Sequence, residues 1–77
     1  MYYVYVLQDA NGKRYKGITS DLENRLRGHR SKNTKSTRNM SDISVIYYET
    51  TEDRISTRKR EEYLKSAAGR AFLKKIV

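Results

Sequence analysis

The chain begins with an alternation that is typical of a β-strand. Two valines are interleaved with larger side chains on the other face, at Tyr3, Tyr5 and Leu7. Such β-branched and aromatic residues favour a strand that is covered on both faces. Asn11 and Gly12 accept positive φ, and the extended segment Lys13–Ile18 follows, so a β-hairpin is predicted. Because the first strand is the most apolar one, we expect it in the middle of the sheet.

Helical spacing replaces the alternation after the hairpin. Ser20 and Glu23 have the spacing of a capping box, in which each side chain binds the backbone of the other. Positions that can pack inward then recur three or four residues apart, at Leu22, Leu26 and His29. The pattern predicts a helix over about Asp21–Arg30. The polar and basic segment Ser31–Ser41 contains little that can pack, so we expect an exposed, mobile loop there.

The second half of the chain predicts a third strand and two helices. Ile43–Glu49 has the composition of a strand. Two threonines before Glu52 and Asp53 predict the start of a helix over about Glu52–Ala67. Gly69 is interpreted as the break before a short last helix, whose apolar face carries Phe72, Leu73 and Ile76. The predicted order is β-β-α-β-α-α. The fold class is therefore α+β, a three-stranded antiparallel sheet with flanking helices, and residues 1–77 form a single domain.

Composition limits the class of protein and its partners. With 77 residues of which 36% are hydrophobic, the core must be thin and partly built from tyrosine. Cysteine is absent, which excludes disulfides and thiolate metal sites and agrees with a reducing cytoplasm. The apolar start is too short for a signal peptide or a membrane span, so we expect a cytoplasmic protein with no membrane association.

The net charge of +8 makes nucleic acid the leading partner. A merely solvated basic surface is the alternative, and anionic membranes or acidic proteins are also attracted to such a charge.

Two tyrosines are predicted to share one face of the hairpin. Successive side chains of a strand point to opposite faces, which puts Tyr5 on one face of the first strand and Tyr15 with Gly17 on one face of the second. Gly17 removes a side chain beside the phenols and leaves room for a phosphate or another backbone. On the following helix, Arg25 and His29 share a face and can point toward the tyrosines. Taken singly, each of these residues is more often an ordinary sheet, packed or solvated residue than a catalytic one.

The combination resembles a known family. Tyr3-Val4-Tyr5, then Tyr15-Lys16-Gly17, then the run from Asp21 to His29 are similar to the motif of GIY-YIG nucleases. The whole chain resembles the small stand-alone bacterial members, and also the amino-terminal nuclease domain of the excision-repair incision enzyme. The segment Arg60–Lys65 resembles the R-E-x-x-L-K segment of the family, which makes Glu61 the matching carboxylate.

The chain departs from the family pattern at several positions. Tyr3 and Val4 replace Gly-Ile, and Lys16 replaces the apolar middle residue of Tyr-Ile-Gly. We expect Lys16 to face away from the two tyrosines, so this change leaves the chemistry intact. After Lys65 the segment Ser66–Arg70 lacks the tryptophan or asparagine of related proteins. The detailed shape of the protein edge beside the metal therefore does not carry over from the family.

The resemblance implies a catalytic set of five residues, Tyr5, Tyr15, Arg25, His29 and Glu61. Glu61 would hold one Mg²⁺ or Mn²⁺ ion, weakly without substrate because a single carboxylate is a poor site. Arg25 would stabilise charge on the phosphoryl group, and one of the tyrosines would deprotonate the attacking water. A free phenol titrates near pH ~10, so its acidity must be raised by the surrounding positive charge. Tyr3 and Gly17 would have structural roles in the motif.

Nucleic acid would be held by further basic residues, Arg14, Arg30, Lys32, Lys35 and Arg38. The last three lie in the predicted loop, which is either an arm that follows phosphates or only a solubilising segment. Glu61 has an alternative too, a helix-surface ion pair with Arg58 or Lys65.

Three functions therefore follow from the sequence. The first is a divalent-metal-dependent endonuclease acting on DNA, with structure in the DNA or a partner protein for targeting. The second is a nucleic-acid-binding module that keeps the fold without cleavage, since fold does not guarantee function. The third is an adaptor that joins a repair or translation complex through exposed tyrosines and basic helices.

Overall fold

The computed structural model describes residues 1–31 and 40–77. Its strands and helices follow one another in the predicted order, which confirms an α+β fold: β1 (Tyr2–Gln8), β2 (Arg14–Thr19), α1 (Leu22–Arg30), β3 (Ser44–Thr51), α2 (Arg54–Lys65) and α3 (Ala67–Ile76). The three strands form one antiparallel sheet in the order β2-β1-β3. The apolar first strand thus lies in the middle, as its composition predicts.

The β1–β2 hairpin has the predicted turn. Gly12 adopts a positive φ of 82°, which a residue without Cβ accepts at low cost. The Asp9 carboxylate accepts hydrogen bonds from the backbone N–H groups of Asn11 and Lys13, at 3.0 and 2.8 Å, and so holds the turn closed. In the resulting register Tyr5 lies opposite Gly17. The hairpin therefore brings together the two parts of the motif that the sequence analysis compared.

The core lies on the sheet face that carries the valines of β1. Val4 and Val6 are fully buried against Leu64 of α2 and Leu73 of α3. Four partly buried side chains surround them, Ile18, Ile46, Tyr47 and Phe72. This face is covered by α2 and α3. Within the described part of the chain, no helix is both long enough and apolar enough to cross a membrane.

Helix α2 is tied to the edge strand β3 by an ion pair. Arg60 Nε lies 2.9 Å from both carboxylate oxygens of Glu49, and the Tyr47 hydroxyl donates to the same carboxylate. The Arg60 guanidinium also stacks over the rings of Tyr63 and Phe72, at 4.6 and 5.3 Å from their centroids. Arg60, which the sequence analysis quoted only as part of a motif, thus has a packing role.

The helix boundaries differ from the prediction in three places. Asp21, and not Ser20, caps α1, because its side chain accepts from the N–H of Asn24. Asp53 caps α2, so this helix begins at Arg54, two residues later than predicted, and ends at Lys65. The threonines before it belong to β3, where Thr50 and Thr51 pair with Tyr3 and Tyr2.

Gly69 does not break the chain between the last two helices. It lies inside α3, and the break is at Ser66, which ends α2 and caps α3 by accepting from the N–H of Gly69 at 3.2 Å. A Cβ on Gly69 would lie 2.0 Å from the Tyr63 carbonyl oxygen and 2.5 Å from Leu64 Cα. The glycine is therefore required by the close approach of the two helices, and the prediction of a helix break was wrong.

The predicted loop also contains a packed residue. Met40 is 2% exposed, and the backbone carbonyl of Ser41 accepts from the N–H of Ala10 in the hairpin turn. The expectation that Ser31–Ser41 contains little that can pack was wrong at Met40. Lys32, Lys35 and Arg38 lie outside the described residues.

Candidate active site

The hydroxyl of Tyr5 is the meeting point of three predicted site residues. It lies 2.9 Å from His29 Nε2, and Arg25 Nε donates to it at 3.4 Å. Tyr5 comes from the middle strand, whereas Arg25 and His29 lie one helical turn apart on α1 and reach it from above the sheet. The Tyr5 ring is fully buried. The two separate segments of the motif thus converge on one oxygen atom.

Gly17 provides the space in which the phenols meet. A Cβ built on Gly17 would lie 2.6 Å from the Tyr5 hydroxyl oxygen, 2.7 Å from Cζ of the same ring and 3.0 Å from Cε2 of Tyr15. Real Cβ atoms do not approach other atoms that closely. The Tyr15 ring lies 6.3 Å from that of Tyr5 and 5.2 Å from that of His29, measured between centroids. The prediction that two phenols share a face beside Gly17 agrees with this geometry.

His29 is uncharged at neutral pH. Burial lowers its pKa from the ordinary value, and the positive charge of Arg25 lowers it further. A neutral imidazole has one ring nitrogen that accepts a hydrogen bond. In the tautomer whose acceptor is Nε2, the Tyr5 hydroxyl donates to His29 while its oxygen accepts from Arg25 Nε. His29 therefore orients the hydroxyl of Tyr5.

The acidity of Tyr5 is lowered, not raised. Burial raises the pKa of its phenol above 10.0, and this effect exceeds the opposing effect of the hydrogen bond from Arg25. The ordinary values of 10.0 for Tyr and 6.5 for His already make proton transfer from Tyr5 to His29 uphill by about 5 kcal/mol. The expectation that surrounding charge makes the phenol more acidic fails for Tyr5 in the free protein. Tyr5 is thus a poor base on its own.

Arg25 holds a firmly charged guanidinium at the edge of the cluster. Hydrogen bonding to Tyr5 is the main cause that raises its pKa, and Tyr15 contributes in the same direction. The residue is exposed although its Nε is engaged, and its guanidinium carries further N–H donors besides Nε. Arg25 can therefore hold the phenols with one side of its guanidinium and meet an anion with the other.

Glu61 lies on α2, which contacts both β1 and β2. Its carboxylate is close enough that its negative charge contributes to the raised pKa of Tyr5, after burial as the main cause. The side chain is 18% exposed, and Lys65 Nζ lies 3.8 Å from its Oε2. The predicted alternative of a helix-surface ion pair is thus realised with Lys65. The 3.8 Å between Lys65 Nζ and Glu61 Oε2 is long for an ion pair, and the Lys65 side chain is more than half exposed. Lys65 therefore binds the Glu61 carboxylate weakly.

The donor set suits a metal ion that is shared with a substrate. Within residues 1–31 and 40–77, no group of three or more carboxylate or imidazole side chains is arranged to hold an ion. Glu61 offers hard oxygen ligands that Mg²⁺ and Mn²⁺ accept, and its weak pairing with Lys65 leaves them accessible. Phosphate oxygens and water would have to complete the shell. The residues therefore fit one weakly held divalent ion and no preformed metal cage.

The other predicted residues lie around this centre. Tyr3 packs beside Tyr48, with ring centroids 6.1 Å apart, and lines a shallow pocket with the first turn of α1. Arg30 is exposed and borders a pocket formed with Met40–Ile43. Arg14 lies on the opposite face of the sheet from the phenols, where its Nε donates to Gln8 at 2.9 Å. None of these three contacts the Tyr5 hydroxyl.

Sequence reasoning missed a set of basic residues beside Arg14. Lys16, Arg70 and Lys74 line one groove with it, between β2 and α3. The signal was present, since Arg14 and Lys16 are two apart on a strand and Arg70 and Lys74 four apart on a helix. What the sequence lacked was the packing that puts these two pairs together.

Comparison with known proteins agrees with this geometry. The family model described as the GIY-YIG catalytic domain matches residues 1–75. A UPF0213 protein of Autographa californica nuclear polyhedrosis virus is 34% identical over 96% of this chain and 73% of its own length. A UPF0213 protein of Desulfotalea psychrophila is 36% identical over 83% of this chain, which spans 60% of that relative.

A solved structure has the same fold. The solution NMR structure of a UPF0213 protein from Bacillus halodurans aligns with a TM-score of 0.59 and 26% identity, over 97% of this chain and 84% of that one. GIY-YIG nucleases generally use a divalent metal, which the carboxylate of Glu61 suits. The family model spans nearly the whole chain, and the three-stranded sheet carries the motif tyrosines side by side. This chain therefore belongs to the GIY-YIG nuclease family.

Proposed function

We propose that this protein is a divalent-metal-dependent endonuclease that hydrolyses phosphodiester bonds in DNA. The observation that carries the proposal is the convergence of Arg25 and His29 on the Tyr5 hydroxyl, beside Tyr15 and the space above Gly17. Hydrolysis needs a base for the attacking water, a positive donor for the phosphoryl oxygens and stabilisation of the leaving oxygen. The cluster offers a phenol and a guanidinium for the first two needs.

Tyr15 is the tyrosine whose phenolate takes the proton from water. Tyr5 is fully buried and its hydroxyl is held between His29 and Arg25, whereas Tyr15 is only half-buried. Tyr5 then acts as a positioning residue that orients the guanidinium of Arg25. The phenolate oxygen of Tyr15 takes the proton of the attacking water as the new oxygen–phosphorus bond forms and the bond between phosphorus and the leaving oxygen breaks.

Arg25 donates its outer N–H groups to the non-bridging oxygens of the scissile phosphate. Its planar fork matches two phosphoryl oxygens, which the point charge of a lysine does not. Glu61 would hold the divalent ion together with the same phosphate. The ion would supply Lewis-acid stabilisation of the charge that develops on the leaving oxygen. His29 keeps Tyr5 oriented through the bond at 2.9 Å.

The experiment compares cleavage by matched pairs of variants. Supercoiled, branched and single-stranded DNA are incubated with Mg²⁺ or Mn²⁺ and the wild type, Arg25→Ala or Glu61→Ala. Arg27→Ala and Glu62→Ala are the controls, because they remove the same charges from exposed positions on the same helices. We expect the two site variants to lose about 10² to 10³ in rate and both controls to retain it, and EDTA to stop cleavage by the wild type. Equal nicking by all five proteins would indicate a contaminating nuclease and exclude the mechanism.

A binding module without cleavage is the second candidate, and two observations favour it. The Glu61 carboxylate is already paired with Lys65, and the pKa of Tyr5 is raised by burial rather than lowered. If the protein is only a binding module, neither the wild type nor any of the four variants cleaves any of the three substrates, while all five proteins bind DNA with the same salt dependence. Targeting would then come from structure in the DNA or from a partner protein.

A further inference from the structure

A second basic surface lies on the other side of strand β2. A groove of about 390 Å³ runs between β2 and α3, and four of its six lining residues are cations. Its members are Gly12, Arg14, Lys16, Arg70, Leu73 and Lys74. No acid is among these six residues. We call it the β2–α3 groove.

The cations of the groove act on one another. Burial is the main cause that lowers the pKa of Lys16, and the positive charges of Arg70, Arg14 and Lys65 lower it further. Asp9, the acid of the neighbouring hairpin turn, is 6% exposed and its carboxylate is occupied by backbone N–H groups. The neighbouring positive charges of the groove repel one another in the free protein, and a bound anion would reduce that repulsion.

The groove is continuous with the candidate active site across the β2 edge. Alternate residues of a strand point to opposite faces, so Lys16 is separated from Tyr15 and Gly17 by only the thickness of the sheet. Lys65 links the two surfaces, because it pairs with Glu61 on one side and its charge reaches Lys16 on the other. A polyanion bound at Arg25 could therefore pass Lys65 and continue into the groove.

The chemistry of the groove fits a chain of phosphates. Arg14 and Arg70 offer donor forks, and Lys16 and Lys74 offer compact charges. The four charges lie along a groove rather than around a closed cavity, which suits a repeating anion better than a single small one. Backbone phosphates of nucleic acid are such an anion, and their neutralisation by Lys and Arg dominates the affinity of DNA-binding proteins.

We propose that the β2–α3 groove binds backbone phosphates of the nucleic acid that flank the cleaved one, and so holds the substrate across the β2 edge. This inference rests on the proposed nuclease function for the cleavage and on the cations of the groove for the binding. Lys16, one of the residues that depart from the family pattern, becomes a substrate-binding residue here.

Binding is tested without catalysis. The affinity of a fluorescent DNA duplex is measured by anisotropy in EDTA over a series of salt concentrations. The double variant Lys16→Gln with Arg70→Gln is compared with Lys59→Gln with Lys75→Gln, which removes the same charge from exposed positions outside the groove. We expect the groove variant to bind about tenfold more weakly and its log–log salt slope to fall by about 1 to 2, since each lost phosphate contact in B-DNA reduces the slope by about 0.9. The control pair should keep the wild-type slope.

Three results would overturn the inference. The first is a groove variant whose affinity and slope match those of the control pair. The second is a groove variant that keeps DNA binding but loses binding to vesicles of phosphatidylserine and phosphatidylcholine, which would assign the groove to a lipid surface. If circular dichroism shows that the double variant does not fold, Lys74→Gln in the groove is compared with Lys75→Gln outside it, on the same helix. The third contradicting result is then equal DNA binding by these two single variants.

Cleavage separates this inference from the proposed function. With an active wild type, we expect groove variants to raise KM about tenfold and to leave kcat unchanged, whereas Glu61→Ala lowers kcat. If the wild type cleaves nothing, the proposed function fails while the anisotropy measurement still decides whether the groove binds phosphates.

Discussion

At the scale of single residues, the Tyr5 hydroxyl combines a buried position with two polar partners. A buried phenol needs a hydrogen-bond partner, because an unsatisfied one costs about 1 to 3 kcal/mol. His29 and Arg25 supply that partner from α1, and the same two contacts give the site its shape. The same hydrogen bonds thus serve stability and the proposed function, so substitution of His29 or Arg25 is expected to affect both.

Gly17→Ala tests the close packing of the phenols. The new Cβ would lie 2.6 Å from the Tyr5 hydroxyl, and the fully buried ring has no room to yield. We expect the cleavage rate to fall by about 10²-fold, since a displacement near 1 Å is enough for such a loss, and the free energy of unfolding to fall by about 1 to 3 kcal/mol. Gly28→Ala is the control, because its Cβ meets nothing within 4 Å. A fully active Gly17→Ala variant would contradict the assigned site.

His29 should make the stability depend on pH. Its folded pKa is lowered, so between that pKa and 6.5 the unfolded chain binds a proton that the folded chain does not. The free energy of unfolding therefore falls as the pH falls through 6.5, by at most about 1.4 kcal/mol per pH unit. Below the folded pKa the loss is complete and the curve flattens.

Urea denaturation at several pH values measures this dependence. His29 is the only histidine of the chain, so His29→Gln removes the imidazole titration while keeping an oxygen that can accept from Tyr5. We expect the difference between the two proteins to shrink as the pH falls from about 7.5 to 5. A difference that is constant over this range would show that His29 titrates normally in the folded state.

At the scale of elements, α2 contacts different neighbours through two of its sides. Leu64 enters the core, Arg60 holds Glu49 of β3, and the pair Glu61 and Lys65 faces the β2 side. Because the helix has 3.6 residues per turn, Arg60 and Leu64 lie on one side of it, and Glu61 and Lys65 lie together on a second side about 100° away. Because Leu64 and Arg60 fix the rotation of α2, they also fix where Glu61 points.

Gly69→Ala tests the contact between α2 and α3. Alanine is the better helix former by about 0.5 to 1 kcal/mol, yet here its Cβ would lie 2.0 Å from a backbone carbonyl oxygen that cannot move alone. We expect a net loss of at least about 1 to 3 kcal/mol in the free energy of unfolding. Gly28→Ala makes the same change in α1 with free space around it, and it should stabilise the protein or leave it unchanged. Opposite signs for the two variants, measured by chemical denaturation, would support the packing argument, and equal gains would refute it.

At the scale of the whole molecule, folding and metal binding are expected to be independent. The core consists of apolar side chains from the sheet and the last two helices, and the described residues contain no metal cage. An ion held by one carboxylate binds weakly, so at concentrations near its Kd it adds only about 0.4 kcal/mol. EDTA should therefore change Tm by less than about 3 °C relative to Mg²⁺ in the absence of DNA. A drop of about 10 °C or more would reveal a structural ion.

The net charge of +8 also belongs to this scale, because its effect depends on where the charges lie. Arg25 faces the phenols, whereas Arg14 and Lys16 face the groove on the opposite side of the sheet. The edge strand β2 thus carries Tyr15 and Gly17 of the motif on one face and cations of the groove on the other.

The sequence by itself determined the elements, their order and the position of β1 in the sheet. These properties follow from local periodicity and from the apolar content of each segment, which are present before any tertiary contact forms. It also determined that Tyr15 and Gly17 share a face, because strand geometry alone requires it. The family resemblance and Glu61 could be found from the same string of residues.

Only the tertiary structure decided what each side chain meets. The burial of Tyr5 raises the pKa that was predicted to be lowered. Met40 is buried although its segment is polar. Gly69 does not separate two helices; its missing side chain lets α2 and α3 pack closely. Each outcome depends on residues distant in sequence that register and helix packing bring within a few ångströms. Local pattern contains no information about those distances, because it describes one element at a time.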